Sequence, residues 1–460
     1  MTAAKTALRH VRTAVNEAWI VSGDLCVVFT VLNALYESQE EELSGGLLAH
    51  ALRRLMSCEV QPGGPYGGND GRVRRDANAA VATFLTHYDV VLPGLQTYLA
   101  THAAIDDAAP KLNSTDQQLL HLSARLKKPE SREQPRLSDD ALRLVDSIWA
   151  ATRQYIEKLP EPLRTTGLSA WNDMRLADRN HEIVLLPWLF ADTLTNANGI
   201  NGQELQLLGE ANVFCWIATV LYDDFIDEEG DPARLPIANV AYRASLERYR
   251  QVLVGRPELY ARVERWYTAV DRANAWEVAH ARARVVDGGL ELAALPRYGN
   301  CTVLADRAFG HAIGPMLLAL QVTGVRAAQL RKIERSLQHF LIARQLHDDI
   351  HDWRKDLQVG QLSVVVVDLL QRLRIRPRSY QLSTFVPRLE RHFLRSGLSR
   401  QCIRLTAHTK ACRQMLAASG IAKSAGGFLR LVNELEASAV AAVRIQSSRQ
   451  AFLRAYQQLR

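Results

Sequence analysis

The chain has 460 residues, a formal net charge of +7 and 47% hydrophobic residues, which excludes a disordered protein and allows a large core divided among two or three domains. No stretch approaches 18 uninterrupted apolar residues, and the polar N-terminal residues lack the apolar core of a secretory signal, so we expect a soluble cytoplasmic protein. The six cysteines are scattered without a CxxC pair or a zinc-like spacing, which favours reduced structural thiols.

Apolar residues recur at helical spacing along most of the chain, whereas alternating strand-like runs with tight Asn-Gly turns are nearly absent. The helical pattern is clear in one segment, with apolar side chains at Leu205, Leu208, Val213, Ile217, Val220 and Leu221. The run SVVVVDLL at 363–370 is β-branched, but it is short and isolated. The sequence therefore predicts an all-α protein.

Residues 1–105 form the first predicted domain, which is small and helical. Its segment GGPYGGNDGRVRRDANAAVATFL at 63–85 resembles one helical repeat of the αα-toroid found in class II terpene cyclases and prenyltransferase β-subunits. The DxDD acid motif of the class II cyclases is absent, because Asp76, Ala77 and Asn78 occupy the nearest place. The resemblance implies a scaffolding domain that is too short for a whole toroid.

A polar, charged and proline-containing stretch at 106–137 predicts a linker. Residues 138–460 form the second predicted domain, a helical bundle with further helices at its C-terminal end. Its helical patterns are interrupted by segments rich in glycine, asparagine and proline, and no repeat period of a solenoid is present.

The first of two aspartate clusters in this second domain has the form DDxxD. It consists of Asp223, Asp224 and Asp227, at the end of an apolar helical stretch. Because residues four apart share one face of a helix, Asp223 and Asp227 are expected to project together.

The second cluster begins at Asp348 and continues at Asp352 and Asp356, so its carboxylates form a stripe along about two helical turns. Stacked carboxylates repel each other and need a compensating cation. Hard oxygen ligands select Mg²⁺, which bridges carboxylates to phosphate oxygens. One acidic run alone is usually a solvated helix face, but two such runs on apolar helices favour a site that holds a metal-bound diphosphate.

At these motifs the chain resembles the class I isoprenoid synthase superfamily. DDFID at 223–227 resembles the first aspartate-rich motif of that superfamily, and DDIHDWRKD at 348–356 resembles both the second motif of prenyl synthases and the metal triad of terpene synthases. The resemblance covers roughly 140–375 and implies an isoprenyl diphosphate substrate and three Mg²⁺ ions at the mouth of a helical bundle. The implied metal ligands are Asp223, Asp224, Asp227, Asp348, Asp352 and Asp356, among which Asp223, Asp227 and Asp348 are assigned as catalytic.

Three basic residues are assigned to the diphosphate by the same resemblance. Arg307, in LADRAFGHAIGP, resembles the diphosphate-sensing arginine of terpene synthases, whose helix is broken near a small residue such as Gly310. Lys355 resembles the basic residue beside the last metal ligand, and Arg344 joins this group. A surface ion pair of Arg307 with Asp306 or another acid is the alternative. Rings that could stabilise a carbocation are Phe214, Trp216, Tyr222, Phe225, Trp276 and Phe309.

The chain departs from the elongating prenyl synthases in lacking their GGKRxRP-like site for a second diphosphate. The corresponding region at 178–190 offers only Arg179 and His181, and Gly360 and Gln361 stand where a Gly-Lys pair is expected. These departures favour a terpene synthase that ionises one allylic diphosphate and releases a hydrocarbon or alcohol. A trans-isoprenyl diphosphate synthase is the alternative.

Two readings from other classes remain. A metal-dependent phosphohydrolase is suggested by His347 and His351, which are four apart and flank Asp348. A non-enzymatic scaffold is suggested by a basic strip at 371–400, which carries eight arginines and one acid, Glu390. The strip could face a polyanionic substrate, lipid headgroups or solvent. Aromatic residues suited to base stacking are missing, so we expect no nucleic acid partner, while peripheral membrane contact and a homodimer stay open.

Overall fold

The computed structural model describes residues 11, 15–37, 45–60, 65–67, 73–88, 93–101, 114–123, 137–195, 200–227, 230–322 and 324–459. These residues are mostly α-helical, which confirms the predicted all-α class. The chain divides into two compact units, one made of Met1–Arg136 with Arg444–Arg460 and the other of Leu137–Val443.

The first unit contains six described helices: α1 (Glu17–Ser22), α2 (Leu25–Glu37), α3 (Gly45–Cys58), α4 (Arg75–Thr86), α5 (Pro93–Thr101) and α6 (Ser114–Ser123). Phe29 and Phe84 pack edge to face in its core with ring centroids 5.0 Å apart. The buried Asp116 of α6 accepts hydrogen bonds from the Trp19 indole at 2.8 Å and from the Asp24 backbone at 3.1 Å. This carboxylate fixes the start of the unit against α6.

Two sequence-based predictions fall partly outside the described residues of this unit. The predicted linker at 106–137 is described only at α6 and Leu137, and α6 lies within it. The segment at 63–85 that resembles a toroid repeat is described only in part, and that resemblance stays a prediction.

The second unit is built from helices that surround two apolar cores. They are α7 (Asp139–Glu157), α8 (Leu163–Ala177), α9 (Glu182–Thr193), α10 (Gly202–Ile226), α11 (Leu235–Val252), α12 (Pro257–His280), α13 (Thr302–Ala308), α14 (Ile313–Gln321), α15 (Ala327–Gln358), α16 (Val364–Arg372), α17 (Leu382–His392), α18 (Leu398–Ser419) and α19 (Gly427–Leu459). The last helix begins in this unit, and its residues from Arg444 onward group with the first.

Helix α10 lies at the centre of one core and is buried over most of its length, with an uninterrupted buried run from Leu208 to Cys215. Its N-terminus carries a capping box, in which Asn201 and Glu204 satisfy each other's backbone N–H groups. Burial ends near Leu221, and the last turn presents the first aspartate cluster. The apolar sequence therefore places these acids at the end of a firmly packed helix.

The valine-rich run at 363–370 forms helix α16, although β-branched residues have a modest helix propensity. Its four valines, Val364, Val365, Val366 and Val367, are buried in the second core. The buried carboxylate of Asp349 accepts a hydrogen bond from the Val364 backbone at 3.2 Å, which satisfies one free N–H group at the start of the helix. Tertiary packing overrides the local preference here.

A small antiparallel sheet of order β1-β2-β3 was not predicted from the sequence. Its strands are β1 (Arg284–Val286), β2 (Gly289–Leu292) and β3 (Arg378–Gln381). Asp287 and Gly288 connect the first two strands with φ values of 50° and 72°, the left-handed conformation of a two-residue hairpin turn. The Asp-Gly pair between short apolar runs was the signal for this hairpin.

Two apolar segments, Gly202–Ile226 and Thr302–Gln321, are long and apolar enough to span a membrane by composition alone. However, 61% and 72% of their most apolar windows are buried inside the protein. Both segments contribute to a core of the second unit, as core helices of this length commonly do.

Candidate functional site

A cavity of about 300 Å³ opens among α9, α10, α13 and α15 of the second unit. Its lining combines acidic and other polar side chains with apolar ones. The side chains that line it are Glu182, Leu186, Trp216, Thr219, Val220, Asp223, Asp227, Arg307, Ala308, His311, Phe340, Leu341, Arg344, Gln345, Asp348, Asp349, Asp352, Lys355, Asp356, Val359 and Gln361.

The two aspartate clusters meet in this cavity, although 125 residues separate them in the sequence (348 − 223). Asp223 and Asp227 come from the end of α10, and the stripe of Asp348, Asp352 and Asp356 comes from α15. Within each set, the side chains therefore face the same cavity. The three predicted diphosphate-binding residues, Arg307, Arg344 and Lys355, line the same cavity.

Asp224 is the predicted ligand that the structure does not bring to this cavity. It lines a separate cavity of about 280 Å³ beside α8, together with Asp173 and Arg234, which form an ion pair of 2.7 Å. Asp223 and Asp224, four and three residues before Asp227, lie on either side of it around the helix, so the rotation of α10 about its axis decides which of them enters the cavity. We therefore leave Asp224 out of the candidate site.

Two arginines occupy the first cluster in the described structure. Arg307 contacts both Asp223 and Glu277, and Arg282 contacts both Asp227 and Glu277, the last at 3.3 Å. The Glu277 carboxylate also accepts a hydrogen bond of 3.2 Å from the side chain of Gln361. With a side chain only 7% exposed, Glu277 is the shared anchor of two guanidinium groups that reach the aspartates of α10.

The backbone around Arg282 is joined to the segment that follows α15. Ala283 donates a hydrogen bond to Gly360 at 2.7 Å, and Leu362 donates one to Ala281 at 2.8 Å. Gly360 has a φ of +81°, and a Cβ atom there would lie 2.1 Å from the carbonyl oxygen of Ala283. This position thus requires glycine because the two segments approach each other at backbone distance.

Carboxylates outnumber cations around the cavity, and the pKa values of several of them reflect this. Burial raises the pKa of Asp349 to about 7, against hydrogen bonds from Gln345 and Val364. Burial and the nearby Asp349 and Asp352 raise the pKa of Asp356 to about 8. Burial likewise raises the pKa of Glu277, while Arg307 opposes the shift. Burial is thus the largest cause of each shift, and neighbouring carboxylates add to it.

The donor set fits Mg²⁺ of the kind that bridges protein carboxylates and phosphate. Among the described residues, no group of three or more histidine, cysteine, aspartate or glutamate side chains is arranged to hold one ion. Mg²⁺ typically binds through one or two carboxylates together with waters and substrate phosphates. Asp223 and Asp227 would also have to exchange their arginine partners for such ions.

Trp216 and His311 both line the cavity. Their rings stack with centroids 4.0 Å apart, and the Arg344 guanidinium lies over the Trp216 ring at 5.3 Å. Burial lowers the pKa of His311 to about 3, so the imidazole is neutral near pH 7. Its Nδ1 atom is buried without a hydrogen-bond partner in the described part of the chain.

The other predicted aromatic residues do not line this cavity. Phe214 and Phe309 are core residues, and Phe225 is 43% exposed. Tyr222 donates a hydrogen bond to Asn239 at 2.6 Å. Trp276 stacks on His280. Trp216 is the only one of the six predicted rings at the site.

The helix that carries Arg307 is broken, as its resemblance to the diphosphate-sensing arginine implied. α13 ends at Ala308, a 3₁₀ turn covers Phe309–Ala312, and α14 follows. A Cβ atom on Gly310 would lie 2.7 Å from the Cys215 sulfur of α10, so a small residue is needed at this contact. The alternative pair of Arg307 with Asp306 is not observed, since Asp306 lies 3.8 Å from Arg272 instead.

The histidines of the phosphohydrolase reading do not line the cavity. His347 forms a 3.1 Å hydrogen bond with Ser438 of α19, and His351 contacts the backbone oxygen of His347 at 2.7 Å. His280, the partner of Glu277 in a Glu-x-x-His pattern, contacts its own helix at the Trp276 backbone oxygen. These contacts direct the imidazoles away from the aspartates of α10.

Sequence reasoning missed Glu277, Arg282, Gln361 and His311. The first three meet only through long-range folding, and no local pattern marked them. His311 lies four residues after Arg307, which was a usable signal, because residues at this spacing share a helix face.

No protein-family model matches the sequence, and a comparison with curated proteins finds no match. Among solved structures, the chain is similar to one described as geranylgeranyl pyrophosphate synthetase from the archaeon Geoglobus acetivorans. The identity is 14%, the alignment covers 67% of this chain and 99% of that chain, and the TM-score is 0.44. A similarity of this degree assigns neither a family nor an activity to this chain.

We predict that Mg²⁺ and inorganic diphosphate together raise the melting temperature, and that Asp223→Asn removes most of this shift. A ligand that binds only the folded state adds about 2.7 kcal/mol to the free energy of unfolding when its free concentration is about 100 times its Kd. Asp224→Asn is the matched control and should keep the shift, because that side chain lies outside the cavity. Differential scanning calorimetry of each variant, with and without EDTA, checks this. Equal loss in both variants would contradict the site described above.

Proposed function

We propose that this protein is a Mg²⁺-dependent enzyme that ionises one allylic isoprenyl diphosphate and releases diphosphate and a hydrocarbon or alcohol. The observation that carries the proposal is the meeting of both aspartate clusters in a single cavity that is also lined by apolar side chains. The polar side chains suit the diphosphate, and Leu186, Val220, Phe340 and Leu341 suit the isoprenoid chain.

Asp223, Asp227, Asp348, Asp352 and Asp356 would hold the metal ions. When bound, Mg²⁺ neutralises the diphosphate and stabilises it as a leaving group.

The protein's cations are positioned to bind the diphosphate once the first aspartate cluster is engaged elsewhere. Glu277 contacts both Arg307, which lines the cavity, and Arg282, which holds the cavity-lining Asp227. Each guanidinium can therefore turn from its aspartate to a phosphate oxygen while its contact with Glu277 is kept. Lys355 and Arg344 line the same cavity. Because the charges are held before the reaction, little reorganisation is needed as negative charge develops on the leaving group.

The apolar side chains of the cavity would surround the carbocation that ionisation produces. The allylic C–O bond breaks, and its electron pair leaves with the diphosphate. The apolar side chains exclude water from the remaining carbocation. In the elimination, a C–H bond beside the cationic carbon breaks and its electron pair forms the new double bond. The proton passes to the unprotonated nitrogen of the neutral His311 imidazole.

A second candidate function, chain elongation, is favoured by one further cavity of about 450 Å³. It shares four lining residues with the first cavity: Glu182, Phe340, Arg344 and Asp348. A second diphosphate there would meet more acids than cations. The acids that line it are Asp178, Glu182, Asp348 and Glu434, against Arg179, Arg344 and His347. Arg344 is already paired with Glu182 at 2.9 Å. This balance of charge supports the single-substrate reaction.

We expect an allylic diphosphate alone to yield free diphosphate in Mg²⁺ and none in EDTA. Labelled isopentenyl diphosphate should not enter the product, because the second cavity lacks the cations to hold it. Mass spectrometry of dephosphorylated products over a series of allylic chain lengths measures both. Label in a product five carbons longer would show chain elongation and contradict the proposed single-substrate reaction. Full turnover without a divalent metal would reject the proposed function altogether.

His311→Gln and His311→Phe should each shift the product from olefin towards alcohol. Without the imidazole to take the proton, water adds to the carbocation instead. Release of diphosphate should stay within about threefold of the parent rate, since ionisation precedes proton loss. Gas chromatography gives the product ratio and a coupled assay gives the rate, with circular dichroism as the check on folding. An unchanged product ratio in both folded variants would exclude His311 as the proton acceptor.

A further inference from the structure

The positive charge of the second unit is concentrated on one surface, which we call the basic face. It is formed by the end of α16, by β3 and by α17, and its exposed arginines are Arg372, Arg374, Arg376, Arg378, Arg388, Arg391 and Arg395. The segment at 371–400 carries eight arginines and one acid, a balance equal to the net charge of +7 for the whole chain. The rest of the chain is therefore close to neutral.

Helix α17 shows how the basic face is built. Phe385, Leu389 and Phe393, spaced by four residues, are buried in the second core of the unit. Arg388 and Arg391 lie on the opposite side of the helix and are exposed, as is Arg395, which follows at helical spacing. The apolar stripe thus anchors the helix and leaves its arginine side to solvent.

The acids near the basic face are already paired. Glu390 contacts Arg354 of α15, and Asp368 contacts Arg400 at 3.1 Å and Arg372 at 3.6 Å. Four arginines of the face, Arg374, Arg376, Arg388 and Arg391, form no ion pair within the described part of the chain. Such a cluster of uncompensated guanidinium groups attracts a polyanion.

The basic face lies next to the half of α15 that carries the acidic stripe. Arg354, which holds Glu390 of α17, sits between Asp352 and Asp356 in the sequence of that helix. The Arg354 side chain contacts α17, whereas the two aspartates line the cavity. A surface bound by the basic face would therefore lie at the same end of α15 as the mouth of the cavity.

We propose that the basic face docks the protein on an anionic phospholipid bilayer. Arginine suits this partner because guanidinium groups pair with phosphate in two-pronged geometry. A nucleic acid is the less favoured partner, since the rings of the face are engaged with each other. Tyr380 stacks on the buried Phe385 at 4.4 Å, and Arg378 covers the Tyr380 ring at 4.8 Å, which leaves no free ring for a base. This inference does not depend on the proposed function.

The test is flotation of the full chain with vesicles of phosphatidylcholine alone or with phosphatidylglycerol added. We expect binding to the anionic vesicles only, and its loss at high salt because screening weakens charge attraction. A quadruple variant, Arg374→Gln, Arg376→Gln, Arg388→Gln and Arg391→Gln, should bind at least roughly 100-fold more weakly, from about fivefold per arginine. No Mg²⁺ or isoprenoid is present, so the result is separate from that of the proposed enzyme activity.

The matched control is a second quadruple variant, Arg256→Gln, Arg262→Gln, Arg265→Gln and Arg331→Gln. It removes the same charge from exposed positions, of which the first three lie just before or within α12 and the last lies in α15. It should bind anionic vesicles like the parent. Equal weakening in both quadruple variants would overturn the basic face as the docking surface. Absence of vesicle binding would overturn the proposal, as would displacement from vesicles by a short DNA duplex at equal phosphate concentration.

Discussion

Carboxylate crowding at one cavity is the constraint on which this structure depends. Two helices from distant parts of the sequence present their acids to the same space, and like charges at such distances repel unless cations intervene. Arg282 and Arg307 supply part of that compensation, and the buried Glu277 supplies the geometry that keeps them there. The carboxylates that line this cavity still outnumber the cations that line it. The cavity can therefore accept further positive charge.

The sequence allowed prediction of those features that rest on periodicity. Helical spacing predicted the fold class and the shared face of Asp348, Asp352 and Asp356, because a regular helix fixes these relations locally. It did not decide between Asp223 and Asp224, since the rotation of α10 about its axis depends on packing against its neighbours. Glu277 was not marked as part of this site by the sequence, because its contacts with the two arginines form only in the folded chain.

The same limit applies to the sheet and to the basic strip. The hairpin at Asp287 and Gly288 pairs through β2 with β3, which lies almost a hundred residues later in the sequence. It was missed because helical patterns predominate in the surrounding sequence. The strip was visible as a count of arginines, but its meaning changed once Glu390 and Asp368 were found in ion pairs. Charge that the protein itself does not neutralise is stronger evidence for a partner than charge alone. Helix α15 thus contributes aspartates to an acidic cavity and, through Arg354, contacts the basic face.

The central claim is that cations and diphosphate displace the arginines from the first aspartate cluster. A crystal structure of the protein with Mg²⁺ and inorganic diphosphate tests this directly. The account predicts Arg282 and Arg307 on phosphate oxygens, still held by Glu277, with Asp223 and Asp227 facing the metal ions. Both arginines remaining on these aspartates, with the diphosphate bound elsewhere, would contradict it.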